Sequence, residues 1–134
     1  MHIEKWRRYL ENHAQDLVLR AEYTPEFGPS VIPSVDLGIL FVMAVWSGTS
    51  QLSIRKLNEV LPPADPDQQC RLFIAASDRL KGLLKIPELK GKLGGNGEIA
   101  WIHMGKIVAT TGSRFNPDLI GWNTQYLMSL STAS

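Results

Sequence analysis

The residues best placed for chemistry are Ser47 and Ser50, two hydroxyls separated by Gly48-Thr49 and preceded by Trp46. They stand where an unbroken apolar run, Gly38 to Trp46, gives way to a stretch with Ile54, Leu57, Val60 and Leu61 at helical spacing. Small hydroxyl side chains at such a junction accept hydrogen bonds from the unpaired N–H groups of a helix's first turn, so capping is their basic role. A serine nucleophile would also need a histidine oriented by a third group. The chain has no Gly-x-Ser-x-Gly elbow, and no spacing ties His2, His13 or His103 to the turn. The single cysteine, Cys70, begins an apolar segment, CRLFIAA, where a free thiol acts as a small apolar group; it excludes an intrachain disulfide. One cysteine and three scattered histidines form no pair at ligand spacing, so neither a metal nor a cofactor is expected.

The elements that must position this turn follow from periodicity. Gly38 to Trp46 is far shorter than the roughly 20 apolar residues a membrane span requires, and it suits a central strand covered on both faces. Thr49-Ser50 leads into an amphipathic helix that Pro62 to Asp67 should end. Cys70 to Ala76 reads as a second buried strand, completing a βαβ unit. Before these, Ile3, Trp6 and Leu10 predict a helix over 2–14, DLVLRAEY predicts a half-buried strand over 16–23, and Pro25, Pro29 and Pro33 predict a surface loop over 24–35. After them, 80–89 should be a short or irregular helix because of Gly82 and Pro87, and 91–97, with four glycines, a flexible loop. Glu98 to Met104 and Lys106 to Thr111 read as a hairpin turning at Gly105. Asn116-Pro117-Asp118 starts a last helix whose apolar face is expected to carry Leu119, Trp122, Tyr126 and Leu130, widened by Ile120 and Leu127, with 131–134 frayed.

Ala44-Val45-Trp46-Ser47-Gly48-Thr49-Ser50 resembles the thioredoxin active-site turn, Ala-x-Trp-Cys-Gly-Pro-Cys, with serine at both cysteine positions. Ile102-His103-Met104-Gly105-Lys106-Ile107-Val108 is similar to the family's Phe-x-Asn-Gly-x-x-Val hairpin, and the element order from residue 36 to 130 is the family's. The resemblance implies an α/β fold, a three-layer sandwich with a central mixed sheet and helices on both faces. It further implies one domain over 1–134, with 1–35 as an N-terminal extension carrying an extra helix and strand. It also implies what is missing. Phe41 stands where the family has a buried aspartate that assists proton transfer, and Gly97 where it has a cis-proline. Ile86-Pro87 lies too early to replace that proline, and the middle strand lacks the family's buried lysine. These losses together suggest a natively redox-inactive member rather than one whose cysteines were exchanged.

The chemistry agrees. Thiol–disulfide exchange needs a thiolate attacking sulfur, which serine cannot replace. Charge narrows the partners: 14 basic and 13 acidic residues are interspersed, net +1, leaving no basic block for nucleic acid. Hydrophobic residues at 44% and charged residues at 20% fit a globular domain, and no signal-peptide core or membrane span is read, which suggests a cytoplasmic location. The expectation is therefore a non-enzymatic protein acting by protein–protein contact, as a bacterial immunity or accessory protein or a polypeptide-binding assembly factor. Its partner is a protein of unknown identity or a second copy in a homodimer. The expected binding surface comprises Trp46, Ser47, Gly48, Thr49, Ser50, Asn96 and Gly97. The competing class is a thioredoxin-like disulfide oxidoreductase silenced by Cys→Ser change or acting through Cys70.

Overall fold

In a computed structural model that describes residues 3–78, 81–112 and 114–132, the apolar run forms the middle of a five-stranded sheet. The strands are β1 (Ala21–Tyr23), β2 (Leu37–Met43), β3 (Arg71–Ala76), β4 (Ile99–His103) and β5 (Lys106–Thr110). Their spatial order is β1-β3-β2-β4-β5. β2 runs parallel to β3, β3 parallel to β1, and the β4–β5 hairpin antiparallel. The α-helices are α1 (Ile3–His13), α2 (Gly48–Ala64) and α3 (Pro117–Thr132). This is the mixed α/β sheet anticipated from the central run.

Alternation along β2 explains why it is apolar throughout. Ile39, Phe41 and Met43 point into a core with Trp6 and Leu10 of α1, Ile54, Leu57 and Leu61 of α2, and Ile120 and Leu127 of α3. Leu40 and Val42 point the other way, into a second core with Phe27, Ile32, Leu83, Ile86 and Leu89. A strand covered on both faces has no solvent side on which polar residues could be placed. All three α-helices lie over the first face, and short 3-10 helices at Ile32–Ser34, Leu83–Lys85 and Pro87–Leu89 cover the second. The hairpin turns as expected at Met104-Gly105, both at positive φ (50° and 79°), the pairing a two-residue turn needs to match strand twist.

Five expectations need correction. The strand expected over 16–23 is confined to Ala21–Tyr23, because Gln15–Leu17 forms a 3-10 turn that buries Leu17 and leaves Leu19 in solvent. The segment 24–35 is not merely a surface loop: Phe27, Ile32 and Val35 are buried and supply much of the second core. Pro62 and Pro63 do not end α2 but form its last turn, where their fixed φ is compatible with helix and only two donors are lost; the helix closes when Asp65 N–H reaches the Leu61 carbonyl at 2.9 Å. On α3 the expected face is right at Ile120 and Leu127, which are fully buried, half-buried at Leu119 and Leu130, and wrong at Trp122 and Tyr126, which are 69% and 49% exposed; Thr124, which was not expected there, is fully buried. Thr124 is inward because its hydroxyl accepts the indole N–H of buried Trp101 at 3.2 Å and donates to the Ile120 carbonyl at 2.8 Å. Of 131–134, expected to fray, Ser131 and Thr132 instead close α3, and 133–134, like residues 2 and 80 of two expected helices, lie outside the described residues.

A buried ion pair fastens the N-terminal segment to the far end of α2. Arg20 pairs with Asp65 and also donates to the Cys70 carbonyl at 2.8 Å. Asp65 in turn accepts the N–H groups of Gln69 and Cys70, each at 2.9 Å, fixing the entry to β3. Removing one member of such a pair leaves a buried charge without compensation. Asp65→Ala is expected to lower unfolding free energy by about 3–5 kcal/mol in urea titration, and a loss below 1 kcal/mol would show that the network is dispensable.

Candidate functional site

The turn that joins β2 to α2 is built from serine oxygens. Ser47 has extended backbone (φ −108°, ψ 123°) and its Oγ accepts the Ser50 N–H at 3.2 Å, as an N-cap residue does. Ser50 is fully buried, and its Oγ accepts the Ala44 N–H at 3.1 Å and shares a hydrogen bond with Tyr9 Oη at 2.8 Å. One hydroxyl thus joins α1, the end of β2 and the first turn of α2. Burial raises the Tyr9 phenol above its ordinary value, opposed by the Ser50 hydrogen bond and by the charge of Arg55. The phenol therefore remains a neutral partner to the serine.

The glycine loop packs against this turn. Gly97 lies directly against the first turn of α2, where an added Cβ would stand 2.8 Å from Ser50 Cα and 2.9 Å from Ser53 Cβ. Its φ of 75° also favours glycine, and its carbonyl accepts the Ser53 hydroxyl at 2.6 Å. Gly95 allows the Trp46 ring to lie on the backbone, at a distance no side chain there would permit. Asn96 and Gly94 donate their backbone N–H groups to Glu98 Oε2 at 2.9 and 3.2 Å. Glu98 is 3% exposed and its Oε1 has no partner among the described residues.

The fold therefore brings Trp46, Ser47, Gly48, Thr49, Ser50, Asn96 and Gly97 into one neighbourhood, but Ser47, Ser50 and Gly97 are buried in it, so of the expected binding surface only Trp46, Gly48, Thr49 and Asn96 reach solvent. Trp46 is 71% exposed and does not act as a lid on the core. Sequence reasoning missed Tyr9, Ser53 and Glu98. Tyr9 is separated from Ser50 by 41 residues, and no local pattern announces the pairing. The polar Ser53 on the buried side of α2, between Ser50 and Leu57, was the one visible signal that a carbonyl had to be met there.

Other candidate groups lie elsewhere. Cys70 sits at the opposite end of α2 from Ser47, about 25 Å away by helical rise over the length of α2. Its thiol is pushed up to about 12 by burial first and by the charge of Asp65 second, offset by Arg20. His13 Nδ1 accepts an Arg55 guanidinium N–H at 3.0 Å, since arginine can only donate, and burial first and the Arg55 charge second lower the imidazole pKa. His103 ends β4 opposite Leu37 and Lys106. Among the described residues, neither histidine hydrogen-bonds to a serine, and there is no cluster of three or more His, Cys, Asp or Glu able to hold a metal.

Comparison places this architecture. No family model and no curated protein matches the chain. Among solved structures, it is similar to reduced desulfothioredoxin from Desulfovibrio vulgaris Hildenborough, with TM-score 0.58 and 18% identity over 82% of this chain and 95% of that one. Oxidised mitochondrial thioredoxin 3 from Saccharomyces cerevisiae gives 0.55 and 19%, covering 74% and 86%. Oxidised thioredoxin from Plasmodium falciparum gives 0.54 and 12%, covering 80% and 98%. The chain has an α/β thioredoxin-like fold. No helix of the described residues is long and apolar enough to cross a membrane.

Ser50→Ala is expected to cost about 1–3 kcal/mol in chemical denaturation, since it leaves the Ala44 N–H and Tyr9 hydroxyl buried without that partner. Ser47→Ala, which removes a single cap bond, should cost about 1 kcal/mol. Equal losses would contradict the hub role of Ser50. For Cys70 the sign is set by a native thiol held above its ordinary value of 9.0. Below that pH both states are protonated; as pH rises through it toward about 12 the unfolded thiol ionises first, so stability falls across that window. Iodoacetamide should accordingly modify Cys70 slowly in the native protein and rapidly in denaturant, as followed by mass spectrometry. Equal rates would place the thiol in solvent.

Proposed function

We propose that this protein acts without catalysis, by binding a polypeptide partner through the surface around Trp46. The observation that carries the reading is the engagement of both hydroxyls at the helix N-terminus. Ser47 Oγ and Ser50 Oγ hold backbone and side-chain partners of their own chain, while the exposed group beside them is an indole. A redox site would present a thiol there. The solved structures of similar fold are described as reduced and oxidised forms of thioredoxins, and the pair of sulfurs on which such a change depends is absent from this sequence.

An oxidoreductase working through Cys70 is opposed by the burial and high pKa of that thiol and by its position at the wrong end of α2. Indole side chains are over-represented among residues that dominate binding energy, and a tryptophan supported on a glycine backbone loses little conformational freedom when it is covered. An accessory or immunity protein and an assembly factor that holds unfolded chain would both use such a surface. We place it in the cytoplasm, consistent with its single reduced cysteine.

Two measurements test the reading. The purified protein should reduce insulin disulfides no faster than buffer with either dithiothreitol or a thioredoxin reductase system as donor. The Ser47→Cys, Ser50→Cys double variant should form a disulfide yet remain a poor reductant, because Phe41 offers no proton relay; a rate equal to that of an ordinary thioredoxin would overturn the non-catalytic reading. Affinity capture from the native host should identify a partner whose binding Trp46→Ala weakens by about 2 kcal/mol or more at unchanged melting temperature. A folded Trp46→Ala protein that binds undiminished would exclude the indole as anchor.

A further inference from the structure

A pocket of about 130 Å³ opens beside Trp46, on the side of the indole where α1 crosses the carboxyl ends of the three parallel strands. Met43 and Ala76 line it from the ends of β2 and β3, Trp6 from α1, and Trp46 from the turn. Trp6 is held in place by stacking on Tyr23, another lining residue, with centroids 5.4 Å apart and planes 18° from parallel. The exposed charges Lys5 and Asp78 flank these groups and, among the described residues, form no ion pair.

Volume decides what can enter. Small-molecule and cofactor sites run from about 300 to 1,000 Å³, whereas a cavity of about 150 Å³ takes one benzene ring. Trp6, Tyr23, Met43 and Trp46 offer an apolar group aromatic and thioether surface, while Ser77, Lys5 and Asp78 make the rest of the lining polar; these two charges, in no ion pair among the described residues, suit a chain that carries polar and charged groups on either side of that apolar group. The geometry points to a pocket for one leucine- to phenylalanine-sized side chain of a bound polypeptide, with Trp46 as its outer wall. This inference rests on the polypeptide-binding reading and adds the specificity of the site: an apolar anchor residue flanked by charge. The outward indole is then one side of a slot, and α1, which belongs to the N-terminal extension, supplies the other.

The test uses N-acetyl-phenylalaninamide and N-acetyl-leucinamide as probes, with N-acetyl-glycinamide as control, titrated into the full chain and followed by 15N NMR. Saturable shifts at Trp6, Met43, Trp46 and Ala76 with millimolar Kd are expected for the first two and none for the third. Ala76→Leu, which adds a side chain into existing space, should weaken both probes at least tenfold without lowering the melting temperature. Should that variant fail to fold, Met43→Phe serves the same purpose. Absence of saturation by either probe, or undiminished binding by the filled variant, would overturn the pocket. A captured partner that is lost with Trp46→Ala but kept with Ala76→Leu would overturn the pocket and leave polypeptide binding intact, whereas a partner kept by both folded variants would overturn both. Sedimentation of the wild type as a dimer that Ala76→Leu dissociates would instead assign the slot to a second copy.

Discussion

The buried hydroxyl of Ser50 is the contact on which the arrangement of this face depends. It stands at the first turn of α2, yet its partners are a backbone amide at the end of β2 and a phenol on α1. Without it both would be buried without that partner, and a buried donor deprived of its acceptor carries its full desolvation cost. The Gly97 backbone then packs on Ser50 Cα, and Ser53 holds the Gly97 carbonyl one turn further along the helix. The turn, the glycine loop and the N-terminal helix are consequently one assembly. The Ser50 hydroxyl serves here as a structural joint.

At the other end of α2 a different kind of contact does the same work. The Arg20–Asp65 pair gathers the end of the 3-10 turn, the helix terminus and the start of β3. The charges exclude one another from water, while the serine joint is neutral. The thiol of Cys70 is stranded beside this pair, and the carboxylate raises its pKa further than burial alone would. The helix is pinned at both ends by polar contacts and along its length by Ile54, Leu57 and Leu61. The helix held at both ends and along its length is thus the one that presents the Trp46 turn.

The sequence was legible where the physics is local. An apolar run of strand length, a hydroxyl-capped turn and a helical repeat gave β2 and α2, and Met104-Gly105 gave the hairpin, because each depends on neighbours a few residues apart. It was misleading where long-range pairing decides. On α3 Ile120 and Leu127 were legible as inward, but the bulk of Trp122 and Tyr126 hid that they face solvent, and nothing local announced that Thr124 would turn inward to meet the Trp101 indole. Residues 16–23 alternate like a strand, but the turn at Gln15–Leu17 and the Arg20 ion pair spend most of them before pairing begins. The neighbourhood of the site was legible as far as the serine turn and Gly97. Tyr9 and Glu98 were not, since one is recruited across 41 residues and the other caps its own loop from a buried position.

The brevity of β1 bears on how the molecule can meet others. Only Ala21, Glu22 and Tyr23 pair with β3, the strand stops ahead of Pro25, and Glu22 grips Arg71 on the neighbouring strand with bonds of 3.0 and 2.8 Å. A sheet border this short, with charge across it and a proline beyond it, makes a poor template for an incoming strand. Growth of the sheet by addition of foreign backbone is discouraged on that flank. Any contact made on that flank would have to rest on shape and side-chain chemistry rather than on shared backbone hydrogen bonds.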